Sequence, residues 1–122
     1  MRRQRVTGIG GVFFRASDPE ALIAWYHEHL GVPVDDAGYV IFPESRDTHW
    51  VPFPRETAYW PREKQAMVNF TVRDLGVMLA QLRAAGISVD DEVEEHEYGR
   101  FGWCVDPEGN RIELWERPGA EA

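Results

Sequence analysis

The amino-acid sequence predicts an α+β fold in which two similar units, each a strand followed by a helix and further strands, lie in tandem. Three observations indicate this fold. A strand-like run followed by a helix pattern occurs twice, at about 50 to 60 residues per copy. Both helix patterns begin after an aspartate and end at a glycine. Shorter strand-like runs follow each helix. The length of 122 residues suits one domain.

The first unit begins with residues 8–16, an apolar run rich in β-forming residues that predicts a strand. Asp18 can cap the helix that follows, with Pro19 at the first helical position. Gly31 supplies the left-handed residue that ends this helix. Between these signals, residues at helical spacing form one stripe, which comprises Leu22, Trp25, Tyr26, His29 and Leu30.

The second unit repeats this order. Residues 66–72 predict a strand, Asp74 predicts a helix cap, and Gly86 predicts the end of the helix. Aligning the two caps places Phe14 on Phe70, so the two strands present the same face to their helices. The stripe of this second helix comprises Leu75, Met78, Leu79, Leu82 and Ala85.

Shorter strands are predicted after each helix, at residues 39–42 and 49–53 in the first unit and at 99–105 and 111–116 in the second. We expect the last two to form a hairpin, because the intervening residues 106–110 combine a proline with a Gly-Asn pair that tolerates positive φ.

Two further segments carry their own patterns. Residues 54–65 are interrupted by prolines and predict a linker, or a loop that crosses the cleft between the units. Residues 90–97 hold six acidic side chains in eight positions. Such a run is typical of a solvated loop or an unpaired edge strand, and a patch that binds a cation is the alternative.

Charge and cysteine content exclude several classes of function. Thirteen Lys and Arg against twenty-one Asp and Glu give a net charge of -8, which repels nucleic acid and anionic membranes. Cys104 is the single cysteine, so an intramolecular disulfide is excluded and a reducing compartment is favoured. No apolar run is long enough for a signal peptide or a membrane span. We therefore expect a cytoplasmic protein with neither nucleic acid nor membrane as partner.

Several motifs in this order resemble the vicinal oxygen chelate superfamily, which includes glyoxalase I, bleomycin-resistance proteins and extradiol dioxygenases. The residues that carry the resemblance are Arg15-Ala16-Ser17-Asp18-Pro19-Glu20-Ala21-Leu22, Trp25-Tyr26, Leu30-Gly31, Val72-Arg73-Asp74-Leu75, Leu82-Arg83-Ala84-Ala85-Gly86-Ile87 and Asp106-Pro107-Glu108-Gly109-Asn110-Arg111-Ile112-Glu113-Leu114. The likeness spans residues 8–116. It implies a glyoxalase-like fold of two tandem βαβββ modules, whose curved mixed sheets enclose a cleft that a dimer partner often completes.

Module boundaries follow from this resemblance. We expect a single glyoxalase-like domain over residues 1–122, with module 1 at about 6–54, a linker at about 55–65 and module 2 at about 66–117.

Metal enzymes of the family hold a divalent ion with His, Gln or Glu side chains on the first and last strands of each module. Two of these positions fall on Gly11 and Met67, which are unsuited to such an ion. The last-strand position falls on Glu113, which is retained. If Ile112 and Leu114 face the helix, Glu113 faces the cleft. The resemblance therefore implies that most of the metal site is missing.

A fourth ligand would come from the strand at residues 49–53. Only His49 could serve, and only if that strand is shifted by two residues. His49 and Glu113 together give two protein ligands, fewer than the three of catalytic zinc sites. We accordingly expect no metal and no cofactor, with Glu113 and His49 as the fallback pair.

The same alternation predicts a cleft lined by aromatic rings and a few polar groups. Such a lining suits a flat or amphipathic small molecule. Alternatively, many of these rings belong to the core or to a dimer interface. Loop residues Tyr59 and Trp60 are expected to contribute to the lining. The predicted ligand-binding residues are Phe13, Arg15, Trp50, Phe53, Asn69, Tyr98, Trp103 and Trp115.

Glu113 is the candidate catalytic residue. Buried among aromatic rings with no cation nearby, its carboxyl could act as a general acid or base. If Arg15, Arg100 or Arg111 reaches it, the pair is structural.

Three functions remain open from the sequence. The first is a small-molecule-binding protein similar to bleomycin-resistance proteins, without the metal site and expected to be a homodimer. The second is an enzyme, a lyase or isomerase like glyoxalase I or a dioxygenase, using either a divalent metal or Glu113 as a base. The third is an interaction module whose exposed aromatic face binds another protein.

Overall fold

The structure, a computed structural model, describes residues 12, 14–43, 48–49 and 51–119. Two helices and one four-stranded sheet make up its regular elements. In chain order they are α1 (Pro19–Trp25), a π-helical segment that continues it (Tyr26–Leu30), β1 (Val68–Thr71), α2 (Leu75–Ala84), β2 (Glu94–His96), β3 (Gly99–Val105) and β4 (Arg111–Glu116).

The four strands form a mixed sheet in the order β1-β4-β3-β2. β1 is parallel to β4, with Val68 opposite Ile112, whereas β2, β3 and β4 pair antiparallel. The order of strand, helix and three strands in the second half of the chain is the predicted βαβββ arrangement. The α+β prediction is confirmed.

Helix boundaries follow the capping signals in the sequence. The Asp18 carboxylate accepts a hydrogen bond from the Ala21 N–H at 3.1 Å, and Asp74 accepts one from the Val77 N–H at 3.0 Å. A glycine in the left-handed region, with φ of 71° at Gly31, follows the π-helical segment.

The core lies between α2 and one face of the sheet. Its buried side chains are Leu75, Leu79, Leu82, Cys104, Ile112 and Leu114. Trp25, Tyr26 and Leu30 pack against this cluster, so the first helix joins the same core. Burial raises the pKa of the Cys104 thiol to about 12, which makes it a small core residue with little nucleophilic character at neutral pH.

Side-chain alternation in β1 and β4 determines which residues face away from this core. Phe70 packs against the core cluster, whereas Asn69 is exposed. Ile112 and Leu114 are buried in the core. Glu113 between them therefore points to the opposite face of the sheet, as the sequence predicts.

The strands predicted at residues 39–42 and 49–53 are absent from the described residues in those ranges, so these predictions are wrong there. Among the described residues near these ranges, the structure has one pairing, an isolated bridge between Val34 and Val40. Asp35 accounts for the first of these ranges, because its carboxylate accepts the Tyr39 N–H at 2.9 Å and its own N–H donates to the Tyr39 carbonyl at 2.9 Å. A tight turn forms in place of an extended ladder.

The strand predicted at residues 8–16 falls partly outside the described residues. Residues 14–16, which are described, are not in a strand. The tandem repetition of the sheet and the module boundaries therefore stay predictions.

The acidic run at residues 90–97 contains β2, an exposed edge strand, in agreement with one of its two expected forms. Within the described ranges, no helix is long and apolar enough to cross a membrane.

Glu108, in the turn between β3 and β4, connects the hairpin to the start of α1. Its carboxylate accepts the Ser17 N–H at 2.8 Å and the Asp18 N–H at 3.0 Å. These two N–H groups hold the pKa of Glu108 below its ordinary value of 4.5. The connection joins residues about ninety positions apart, so it fixes the first helix to the second half of the chain.

We expect Glu108→Gln to lower the free energy of unfolding at pH 7, and this difference from the wild type to shrink in acid. Because the folded-state pKa of Glu108 lies below 4.5, its stabilisation is fully present above pH 4.5 and is lost as the pH falls through the folded-state value. Urea unfolding at pH 7 and pH 3 measures the effect. Glu28→Gln, which changes an exposed carboxylate in the π-helical segment, is the control. An equal difference between Glu108→Gln and the wild type at both pH values would contradict the assignment.

Candidate functional site

Glu113 of β4 is the centre of a hydrogen-bond network on the face of the sheet opposite the core. Its side chain is only 9% exposed. Asn69 Nδ2 donates to Oε1 at 2.8 Å, and Trp103 Nε1 donates to Oε2 at 3.0 Å. Both donors lie directly opposite Glu113 in the sheet, Asn69 on β1 and Trp103 on β3. One cross-strand row thus supplies the carboxylate and two of its donors.

A third donor, the Tyr59 hydroxyl, comes from outside the sheet and donates to Oε2 of Glu113. Tyr59 belongs to residues 54–65, which we call the crossing segment. The Arg111 guanidinium donates to the Tyr59 carbonyl at 3.1 Å, and the Lys64 ammonium donates to the Glu108 carbonyl at 3.0 Å. These contacts place the crossing segment against β4 and the turn between β3 and β4; whether it is a linker or a loop that crosses the cleft stays a prediction.

Aromatic rings and one guanidinium surround the Tyr59 ring. Phe53 stacks on it with centroids 5.8 Å apart, and Trp103 meets it edge-on at 6.0 Å. Trp60 meets it edge-on at 6.4 Å, and the Arg111 guanidinium carbon lies 5.4 Å from its centroid. Burial, followed by the hydrogen bond to Glu113, raises the pKa of Tyr59 above its ordinary value. The hydroxyl therefore stays protonated and remains a donor at neutral pH.

An open groove of about 640 Å³ runs beside this network, between the crossing segment and the acidic run. Arg111 lies in it, 4.8 Å from the centroid of Trp103 and 2.5 Å from the Asp90 carboxylate. The groove is lined by Ala58, Tyr59, Trp60, Pro61, Arg62, Asp90, Glu92, Glu94, Trp103, Val105, Gly109 and Arg111. Three of these residues are aromatic and five are charged.

The family model of the Glyoxalase/Bleomycin resistance protein/Dioxygenase superfamily matches residues 8–114. The chain belongs to this superfamily. The match spans both halves of the chain and includes Glu113, so the resemblance noted in the sequence is confirmed at the level of the family.

Solved structures of the superfamily share the fold. TnmS3, an antibiotic binding protein from Streptomyces sp. CB03234, matches with a TM-score of 0.62 and 20% identity over 94% of this chain and 99% of that chain. Lactoylglutathione lyase from Agrobacterium tumefaciens matches with a TM-score of 0.58 and 20% identity over 96% of this chain and 97% of that chain. Oxidase ChaP-H2 matches with a TM-score of 0.55 and 22% identity over 88% of this chain and 91% of that chain. No curated protein matches the sequence. At these identities the likeness extends to the fold alone.

Among the predicted ligand-binding residues, Asn69 and Trp103 meet at Glu113, and Phe53 reaches the same site by stacking on Tyr59. Trp115 shares the face of the sheet but lies one row further along. The remaining predicted residues are either elsewhere or outside the described part: Tyr98 accepts a hydrogen bond from Trp115 through its carbonyl, Arg15 is exposed, and Phe13 and Trp50 are outside the described residues.

Tyr59 was expected to line the cleft but not to bind Glu113. The proline pattern predicts that residues 54–65 cross the cleft, but it does not specify which side chain meets the sheet. That contact joins positions 54 apart in sequence and has no periodicity to predict it. The sequence signal that could have indicated this contact is a tyrosine in a segment expected to cover a buried acidic residue.

The sequence left open a structural role for Glu113, an ion pair with an arginine. Among the described contacts, Arg100 and Arg111 pair with other carboxylates. Arg111 pairs with Asp90 at 2.5 Å. Arg100 lies 3.7 Å from Glu95 and 3.9 Å from Glu116. The described partners of the Glu113 carboxylate are three neutral donors.

The described residues do not fit the divalent metal of the superfamily's metal enzymes. They contain no group of three or more His, Cys, Asp and Glu side chains that could hold an ion. His49, the fallback ligand, packs its ring edge-on against Trp115 at 5.4 Å. Met67 offers only a thioether, and Gly11 lies outside the described residues. Both oxygens of Glu113 already accept protein donors, so no step through a metal is derived.

Proposed function

We propose that the chain is a small-molecule-binding member of the superfamily, which takes an aromatic or amphipathic ligand in the groove beside Glu113 and needs no metal to do so. The observation that carries this proposal is the Glu113 carboxylate, held by three neutral donors, two of which, Tyr59 and Trp103, line the groove. TnmS3 is described as an antibiotic binding protein, which gives a precedent for binding within this fold.

The size and lining of the groove support this proposal. It is open to solvent and has a volume of about 640 Å³, and small-molecule pockets typically measure roughly 300 to 1,000 Å³. Tyr59, Trp60 and Trp103 provide flat apolar contact area. The Glu113 carboxylate fixes the Trp103 side chain, which lines the groove, and such fixed groups orient a ligand.

A screen of aromatic compounds by thermal shift and calorimetry tests this proposal, with Glu113→Gln as the decisive variant. We expect hits on the wild type that weaken at least about tenfold in Glu113→Gln, because the amide group cannot accept all three donors. Glu63→Gln, which changes an exposed carboxylate of the crossing segment outside the groove lining, should bind like the wild type. Equal affinity in Glu113→Gln and the wild type would overturn the role of Glu113.

Metal content distinguishes this proposal from the enzymatic candidate. Mass spectrometry of purified protein after incubation with nickel, zinc, manganese or iron(II) should find no stoichiometric metal. Near-stoichiometric metal that Glu113→Ala abolishes would replace the proposal with a metal-dependent lyase or dioxygenase, and His49 would be tested next. A homodimer and a cytoplasmic location stay predictions from the sequence.

A further inference from the structure

The site at Glu113 consists of a part fixed on the sheet and a part carried by the crossing segment. The fixed part is a carboxylate with two donors and an aromatic wall, formed by Glu113, Asn69 and Trp103. The crossing segment contributes a phenol, the side chain of Tyr59, whose hydroxyl completes the carboxylate's hydrogen bonds and whose ring meets Trp103 edge-on. The sheet thus presents a phenol-shaped receptor, and a side chain of the same protein fits it.

We propose that the ligand bound at Glu113 carries a phenolic hydroxyl on an aromatic ring, and that Tyr59 competes with this ligand for the same place. This inference rests on the proposed function and names its ligand class. The ligand hydroxyl donates to Oε2 of Glu113, and its ring lies against Trp103 and the Arg111 guanidinium in place of the Tyr59 ring.

Hydrogen-bond chemistry gives this receptor its selectivity for a hydroxyl. Glu113 is buried, and a buried acceptor that loses a donor is strongly destabilised. A ligand that displaces Tyr59 must therefore replace its O–H donor at Oε2. An aryl ether of the same shape has no such donor. Sites built around a hydrogen bond to a hydroxyl discriminate strongly against analogues that lack it.

The crossing segment is held on the sheet and hairpin by a small number of polar contacts, which a ligand could replace. No residue of the segment belongs to a helix or strand. The described polar contacts that fasten it to the sheet and hairpin are the Tyr59 hydroxyl on Glu113, Arg111 on the Tyr59 carbonyl, and Lys64 on the Glu108 carbonyl. Phe53, which stacks on Tyr59, is 45% exposed. Segments with few buried contacts open at low free energy, so displacement of Tyr59 is accessible without unfolding.

Calorimetric titration with 2-naphthol and with 2-methoxynaphthalene tests the proposal, since the two probes share a ring system and differ in the donor. We expect the wild type to bind 2-naphthol and to prefer it by at least about tenfold. Tyr59→Phe, which keeps the ring but loses the competing hydroxyl, should bind 2-naphthol more tightly. Tyr59→Ala should increase this affinity further, with no comparable gain for 2-methoxynaphthalene. Tyr39→Ala, which changes a tyrosine that is 67% exposed, is the matched control.

Three results would overturn the inference. They are equal gains for both probes in Tyr59→Ala, binding of 2-naphthol by that variant but not by the wild type, and retention of the preference in Glu113→Gln. Circular dichroism confirms that each variant is folded, and Tyr59→Phe keeps the test decisive if Tyr59→Ala is not. If the wild type binds other aromatic compounds through Glu113 but not 2-naphthol, this inference fails while the proposed function stands. If it binds no aromatic compound, the proposed function itself fails.

Discussion

Asp106→Ala should lower the free energy of unfolding by about 3 to 5 kcal/mol, one of the two largest effects expected from a single substitution in this chain. Asp106 is 4% exposed at the start of the turn between β3 and β4. Its carboxylate accepts the Tyr26 hydroxyl at 2.7 Å, the Glu108 N–H at 2.8 Å, and the Asn110 N–H and side-chain amide at 2.9 and 2.8 Å. Alanine would leave all four donors without this acceptor.

Through the contact with Tyr26, the Asp106→Ala substitution also affects the first helix. Tyr26 lies in the π-helical segment, 80 positions from Asp106, and packs against the core. Burial, followed by the hydrogen bond to Asp106, raises the pKa of Tyr26, so its hydroxyl is a donor at all physiological pH values. Losing the carboxylate therefore loosens the hairpin turn and the docking of the first helix together.

Urea unfolding followed by tryptophan fluorescence measures the effect. Asp35→Ala is the matched control, because Asp35 accepts two backbone N–H groups in a similar turn but is exposed. We expect that control to lose about 1 kcal/mol or less. Tyr26→Phe combined with Asp106→Ala should lose less than the sum of the single variants, since both remove one bond. A loss below about 1 kcal/mol in Asp106→Ala would contradict the assigned role.

Gly99→Ala should lower the free energy of unfolding by about 2 to 4 kcal/mol, for two reasons that add. Gly99 has a φ of 131°, which a residue with a Cβ atom rarely adopts. An added Cβ would also collide with the Glu116 carbonyl and the Trp115 indole. The first residues of β3 would have to move, and this movement would disturb the pairing of β3 with β2 and β4.

Gly38→Ala separates these two contributions. Gly38 has a φ of 90°, but an added Cβ would meet nothing within 4 Å. We expect this variant to lose only the cost of the backbone strain, about 1 kcal/mol. Chemical denaturation measures the loss of stability in the two variants. Equal losses in both variants would show that the collision is relieved at no cost.

Features that depend on neighbouring residues could be predicted from the sequence. Contacts that depend on where an irregular segment runs in the folded chain could not. The cap at Asp74 and the burial of Ile112 and Leu114 depend on neighbouring residues and on a period of two or 3.6. The family resemblance singled out Glu113, and the same alternation predicted the face of the sheet on which it lies. Its Tyr59 donor could not, because that contact depends on where a loop without periodicity crosses the sheet.

The first half of the chain shows the same limit. Residues 39–42 carry the apolar, β-forming composition of a strand, but Asp35 binds the Tyr39 N–H and closes a turn. A short polar side chain that captures a backbone N–H thus overrides strand propensity. For His49, the uncertain register of an irregular segment left open whether it reaches Glu113, and in the structure its ring contacts Trp115.

The parallel pairing of β1 with β4 determines when the site can form during synthesis. Val68 emerges from the ribosome before its partner Ile112 has been made, and α2, β2 and β3 are produced in between. The β3–β4 hairpin closes locally, whereas β1 must wait for a long loop to close. Asn69 reaches Glu113 only at that last step. A chain that ends before β4 lacks both Ile112 and Glu113, so it can neither pair β1 nor form the proposed site.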